Sequence, residues 1–253
     1  MATKQVAKKQ ESELPGALLA EYAEFTPTFD RDEVQLPFLR VLQQLSPQVI
    51  EGDSSHVEGA KPGMLYHTIN GQVYTDLSIV VLRKEIVKIQ WRMRDQGGGF
   101  VAQFNPGDPD IPKTHKVEYE NLVTDDPSTV LQDTIQYVCR VFDQDCVDLG
   151  MAIISCSRSQ LKVARVFNTR MANAKIPGLK VVAPPFAFTY ALSTVMEKND
   201  RGTFYSFRFG DGEPIADAEM AGETIALARQ VNDIQISQVQ EEEPVADNIG
   251  EDV

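Results

Sequence analysis

Apolar and polar residues alternate with a period near two along most of the middle of this chain, and the period becomes helical in two places, near residues 157–175 and 217–234. Residues 77–94, LSIVVLRKEIVKIQWRMR, are the most informative stretch. They begin as a continuous apolar run, which suits a strand buried on both faces, and then alternate with basic side chains. Successive side chains of an extended strand point to opposite faces, so Lys84, Lys88, Arg92 and Arg94 share one face, and Val87, Ile89, Trp91 and Met93 the other. Just upstream, MLYHTINGQVYTD predicts a hairpin, because Asn70-Gly71 supplies the positive φ angles of a two-residue type I′ turn. Downstream, TIQYVCRVFD and LGMAIISCS predict two strands joined by an acidic turn at 143–148. FAFTYALSTVMEK and GTFYSFRFG predict a last hairpin, turning at 199–202.

The segment SRSQLKVARVFNTRMANAK predicts a helix capped by Ser157 or Ser159, with Leu161, Ala164, Val166 and Phe167 as its apolar side. Pro37 and Pro47 bracket a short helix or strand; FNPGDPDIPKTH reads as a long loop, and residues 117–131 are weakly patterned. Residues 1–33 read as a mobile arm, and from 237 onward the tail has no core-forming pattern. One domain over 34–236 is therefore expected, mainly β with added helices. Six to eight strands in hairpin pairs favour an antiparallel sheet: an OB-like Greek-key barrel fits best, with a mixed α+β sandwich as the alternative.

Composition adds three constraints. With 253 residues, 42% of them apolar, the chain can bury a sizeable core. It holds no apolar run long enough to span a bilayer and no signal-peptide apolar region near Met1, so a cytoplasmic location is expected, that of the host cell for a viral protein. The three cysteines, Cys139, Cys146 and Cys156, match no metal-ligand spacing and predict free thiols. Net charge is −13, but it is unevenly placed. Residues 211–253 carry one basic and twelve acidic side chains, whereas residues 34–210 carry nineteen and eighteen. The acidity belongs to the C-terminal end, on a nearly neutral body.

Catalytic constellations do not emerge. Gly97-Gly98-Gly99 lacks the spacing of a phosphate loop or a dinucleotide turn, His56, His67 and His115 form no metal motif, and there is no Gly-x-Ser-x-Gly. Pro109-Asp110 has no acidic-x-Lys partner for nuclease chemistry, and Asp108, Asp110, Glu118 and Glu120 read as solvated loop acids. No enzyme, metal or cofactor is expected. Phosphate binding is better supported, because Arg158, Lys162, Arg165, Arg170 and Lys175 span the predicted helix without one acid, while solvated helices usually mix both signs. Tyr137 and Tyr205, on strands, are candidate base-stacking residues.

The QEEEPVADNIGEDV terminus, the basic strand and helix, and the aromatic hairpin together resemble the single-stranded DNA-binding proteins of bacteriophages; LPFLRVLQQLSPQV and KPGMLYHTINGQVY are similar to openings of phage proteins. The resemblance implies an OB-fold body and a mobile tail, here Glu241, Glu242, Glu243, Asp247, Glu251 and Asp252, that contacts replication or recombination proteins and competes with DNA. Many such tails end in an aromatic residue, and this one ends in Val253. The expectation is sequence-independent coating of single-stranded DNA, by a monomer or a homo-oligomer, with no membrane association. The alternative is a phage interaction or virion-assembly protein that does not bind nucleic acid. An enzyme using the loop acids ranks third.

Overall fold

In the computed structural model the described residues are 35–176, 178–199 and 202–231. In chain order they form β1 (Phe38–Val41), β2 (Leu65–His67), β3 (Val73–Tyr74), β4 (Leu77–Arg92), β5 (Phe100–Phe104), β6 (Thr114–Val117), β7 (Glu120–Val123), β8 (Thr129–Phe142) and β9 (Asp148–Ser157). Helix α1 (Gln160–Asn173) follows, then β10 (Phe188–Asn199), β11 (Gly202–Pro214) and helix α2 (Ala218–Val231). The arm at residues 1–33, the turn residues Asp200 and Arg201 and the acidic tail, with Glu241, Glu242, Glu243, Asp247, Glu251 and Asp252, lie outside the described residues.

The eleven strands make one mixed sheet that curls into a half-barrel, ordered β11-β10-β4-β8-β9-β1-β2-β3, with β5 on β4 and the β6–β7 hairpin on β8. Every pairing is antiparallel except that of β1 with β9. The expected mainly β fold with added helices therefore holds. Long strands β4 and β8 pair from Ser78↔Phe142 to Arg92↔Thr129, and this ladder is the spine of the sheet. A bulge between Val81 and Arg83 shifts the facing of β4 by one residue.

Each face of the spine buries its own core. One holds Leu77, Ile79, Val81, Tyr137, Cys139, Ile154, Tyr190 and Phe209, and α1 closes it with Ala164, Phe167 and Met171. These three recur at helical spacing, so one stripe of α1 is apolar while Lys162 and Arg165 stay exposed. Phe167 stacks on Phe209 at 4.1 Å and meets Tyr190 edge-on at 5.0 Å. The other face holds Val80, Leu82, Val138, Phe142 and Ile153 under Ala228 and Val231 of α2. Arg140, buried on that face, ties α2 down through Glu223 at 2.7 Å and also bonds Asp148.

Several local expectations are corrected. The Asn70-Gly71 turn is not type I′: only Gly71 takes a positive φ, of 71°, and the loop closes with Gly71 N–H donating to His67 O at 3.0 Å. Asn70 keeps an ordinary φ because its N–H is held by His67 Nδ1 at 3.3 Å, which makes a longer loop than a two-residue turn. Strands β6 and β7 occupy stretches that read as loop or as unpatterned, and β5 forms in residues 100–104, where the sequence pattern predicts no element and only Phe104 falls at the start of the expected loop. Val166, expected on the apolar side of α1, is 50% exposed, and Met171 takes its place. Ser159 stands at the N-cap but makes no side-chain cap bond, and Ser157 remains in β9.

Candidate nucleic-acid interface

The basic face of β4 forms as its alternation requires. Past the bulge, Lys84, Lys88 and Arg92 are register partners of Tyr137, Asp133 and Thr129, and so lie on the face of the sheet that α1 covers further along. Ile86 and Gln90 sit between them; Ile86 is 51% exposed and Gln90 buried. Val87 and Ile89 are buried on the opposite face, and Trp91 beside them is half-buried against Phe100, with 6.0 Å between ring centroids. The strand ends at Arg92, so Arg94 falls in the following 3-10 turn, outside the expected strand. Gly97, Gly98 and Gly99, all with positive φ, then reverse the chain into β5.

Helix α1 supplies the second set. Its first turn has no acid and its last turn carries Arg170. Lys162 and Arg165 are exposed, as is Lys175 just beyond the helix. Arg158 is not in the helix: it precedes it with φ of 47°, so it does not continue the Lys162 and Arg165 face as the sequence spacing suggested. Its guanidinium meets Glu120 at 3.0 Å. Two more of the expected cations also have partners, Lys88 with Asp133 at 2.5 Å and Arg170 with Phe209 O at 2.7 Å and Asp211 at 3.6 Å. Among the described residues, Lys84, Arg92, Lys162, Arg165 and Lys175 have no ion pair.

A groove of 320 Å³ runs between α1 and the β10–β11 hairpin, lined by Lys162, Arg170 and Arg208 with Val166, Val195 and Phe207. Glu197 is its one acidic lining residue among the described residues. Arg208 was missed in the sequence, where it stands alone among aromatics in FYSFRFG, although its parity, opposite to Phe207 and Phe209, already marked it as outward-facing.

The two tyrosines part ways. Tyr137 is fully buried, with its hydroxyl donating to Asn168 Oδ1 at 2.8 Å and burial pushing its pKa far above the ordinary phenol value. It is a core residue and offers no face for stacking, which corrects that expectation. Tyr205 is half-buried at the edge strand β11, where its ring lies so close over Gly63 that a Cβ there would stand 2.6 Å from it. The backbone N–H of Tyr205 donates to Gln43 Oε1 at 2.9 Å, and its carbonyl accepts from Gln43 Nε2 at 2.8 Å.

No cluster of three or more metal-ligating side chains occurs among the described residues, and no described helix is long and apolar enough to cross a membrane. No curated protein and no solved structure matches the chain. Residues 11–237 match the family model described as Pam3 phage gp34-like protein, nearly the whole chain, and the protein therefore belongs to this bacteriophage family.

Proposed function

We propose that this phage protein coats single-stranded DNA without sequence preference during phage DNA replication or recombination, in the host cytoplasm and without catalysing a reaction. The observation that carries the reading is the groove beside α1, which Lys162, Arg170 and Arg208 line with Glu197 as the one acid among the described residues, in a chain of net charge −13. Lys84 and Arg92 on β4, Arg165 on α1 and Lys175 just beyond it extend the positive charge, and none of the four has an ion pair among the described residues. Such cations bind phosphates by releasing counterions, which gives affinity without sequence readout. The acidic terminus, with Glu241, Glu242, Glu243, Asp247, Glu251 and Asp252, competes with DNA for these cations as a tethered polyanion and presents itself to replication or recombination proteins once displaced. The test is fluorescence anisotropy of single- and double-stranded oligonucleotides of one sequence at low salt. Preference for the single strand supports the reading, and absence of binding to it sinks the reading.

A second reading has its own observation. Leu179, Val181 and Val182 stand exposed between α1 and β10, the two valines at 70% and 71%. Exposed apolar residues next to one another fit a protein partner in virion assembly. A chain that ignores oligonucleotides but remains bound to another phage protein through purification, and loses it on Val181→Asp/Val182→Asp substitution, is the outcome that favours this reading.

A further inference from the structure

Two surface loops lie at opposite ends of α1 and carry opposite charge beside exposed apolar side chains. The first, residues 42–64, joins β1 to β2. Both of its ends are fastened to the β10–β11 hairpin at one level: Gln43 bonds the Tyr205 backbone, and Thr194 Oγ1 donates to Gly63 O. Helix α1 starts at the same level, where Gln160 accepts from Phe207 N–H at 3.2 Å. The second loop, residues 178–184, lies between the end of α1 and the start of β10 at Phe188, which is the register partner of Pro214 on β11. The run of β11 from Tyr205 to Pro214 is about 30 Å long.

The two loops are chemically complementary. Between Arg40 and Lys61 the charged residues are Glu51, Asp53 and Glu58, all acidic; between Arg170 and Glu197 they are Lys175 and Lys180, both basic. Leu45 and Ile50 stand exposed on the first loop, and Leu179, Val181 and Val182 on the second. Glu51, Glu58, Lys175 and Lys180 are exposed with them. Neighbouring apolar side chains held out in water mark a contact surface, and opposite charges around them select the partner and its orientation. Inside one chain the lengths of α1 and β11 hold these loops apart, so each finds its complement on another copy. A patch that fits a different patch of the same molecule makes a head-to-tail contact, which repeats from copy to copy instead of stopping at a two-fold pair.

We propose that copies of this chain associate head to tail, with loop 178–184 of one seated on loop 42–64 of the next. Where the second reading seats another phage protein on Val181 and Val182, the occupant is here a second copy. The groove beside α1 runs between the same two ends, from Ser159 to Arg170, so the contact sets the grooves of successive copies end to end. That a DNA strand follows this line rests on the proposed coating function; the contact itself does not. On a strand, each bound copy then offers a docking loop to the next, and coating becomes cooperative.

The experiment uses an equal mixture of unlabelled and isotope-labelled full chain, without DNA, and a carbodiimide, which joins an amine to a carboxylate only where the two touch. Peptide pairs that link Lys175 or Lys180 of one label to Glu51, Asp53 or Glu58 of the other are expected. Val181→Asp and, on the facing loop, Leu45→Lys each bring like charges together in the contact and should lower this yield roughly tenfold or more. Val147→Asp, at an exposed valine in the β8–β9 turn, should leave it within about twofold. Mixing the two loop variants should restore part of the yield, because the introduced acid then meets the introduced base. Mixed-label pairs that respond in this way, together with clustering of copies on a long oligothymidylate, support the contact and the coating function alike. The same pairs from a chain that binds no oligonucleotide uphold the contact and overturn the coating function. Absence of mixed-label pairs between these loops, or an unchanged yield in both variants, overturns the contact, and coating stands if oligothymidylate still binds.

Discussion

The Gln43 side chain acts as a short extra strand for Tyr205: its amide oxygen accepts from the Tyr205 N–H at 2.9 Å and its amide nitrogen donates to the Tyr205 carbonyl at 2.8 Å. Gln160 continues the seam, accepting from Phe207 N–H at 3.2 Å. Strand β11 is at the end of the sheet path, and these two glutamines cover part of an edge that would otherwise offer unpaired backbone groups. Gln43→Leu leaves the Tyr205 N–H without its partner and its carbonyl with only Gln160 at 3.5 Å. A loss of about 1–3 kcal/mol is expected by urea unfolding, whereas Gln48→Leu nearby should stay within about 0.5 kcal/mol of the parent. Equal effects of the two changes would deny the seam its role.

His67 gives the fold a pH dependence. The ring is buried, its Nε2 has no hydrogen-bond partner among the described residues, and its Nδ1 accepts from Asn70 N–H. Burial holds its pKa below the ordinary 6.5, outweighing a backbone hydrogen bond that raises it. The unfolded chain therefore binds this proton more readily, so the stability tied to the neutral ring is intact above pH 6.5 and is lost as the pH falls below that value. His67→Asn, which keeps an acceptor near Asn70, should flatten the fall of the melting temperature between pH 7 and 5. The same slope in both proteins would remove His67 as its source.

The three cysteines should separate by reactivity. Cys139 and Cys156 are buried between β8 and β9, and Cys146 is exposed in the turn joining those strands. Burial pushes the Cys156 thiol up to about 12, and raises Cys139 by burial and by the neighbouring Cys156. Thiolate is the reactive form, so alkylation of the native protein at pH 8 should modify Cys146 alone, and denaturant should release the other two. Modification of Cys139 or Cys156 without unfolding would contradict the packing of the β8–β9 hairpin.

Phe167 is the residue through which α1 is held to the sheet, by a stack on Phe209 and edge contacts to Tyr137 and Tyr190. Phe167→Ala should cost about 3–5 kcal/mol. Because the groove cations Lys162 and Arg170 ride on the same helix, the variant should also weaken oligonucleotide binding if it is measured below its unfolding transition. Full stability in Phe167→Ala would show that α1 is not anchored there.

What the sequence disclosed follows from where burial leaves a pattern. Strands β4, β8 and β9 each carry a long apolar stretch that marked them as strands, and the pairing of β8 with β9 was legible through their short acidic turn, whereas the pairing of β4 with β8, across distant parts of the chain, was not. Thr114–Val117 of β6 is exposed at every position, so no alternation marks it as a strand. Parity placed Lys84, Lys88 and Arg92 together, but could not say which tyrosine faces the core, and Tyr137 went inward because α1 brings Asn168 to its hydroxyl. The seam between Gln43 and Tyr205 was invisible in the chain. The two stand 162 positions apart, and no local spacing encodes that contact.

The central claim is tested most directly by titrating oligothymidylate with the full chain and with a chain ending at residue 236, at 50 and 200 mM salt. If about five cations engage phosphates, the single-strand salt slope of about −0.7 per contact predicts roughly a hundredfold loss of affinity across that range. The shortened chain should bind more tightly at either salt, since removing residues 237–253 removes the competing acids. No binding by the shortened chain at 50 mM salt would contradict the account.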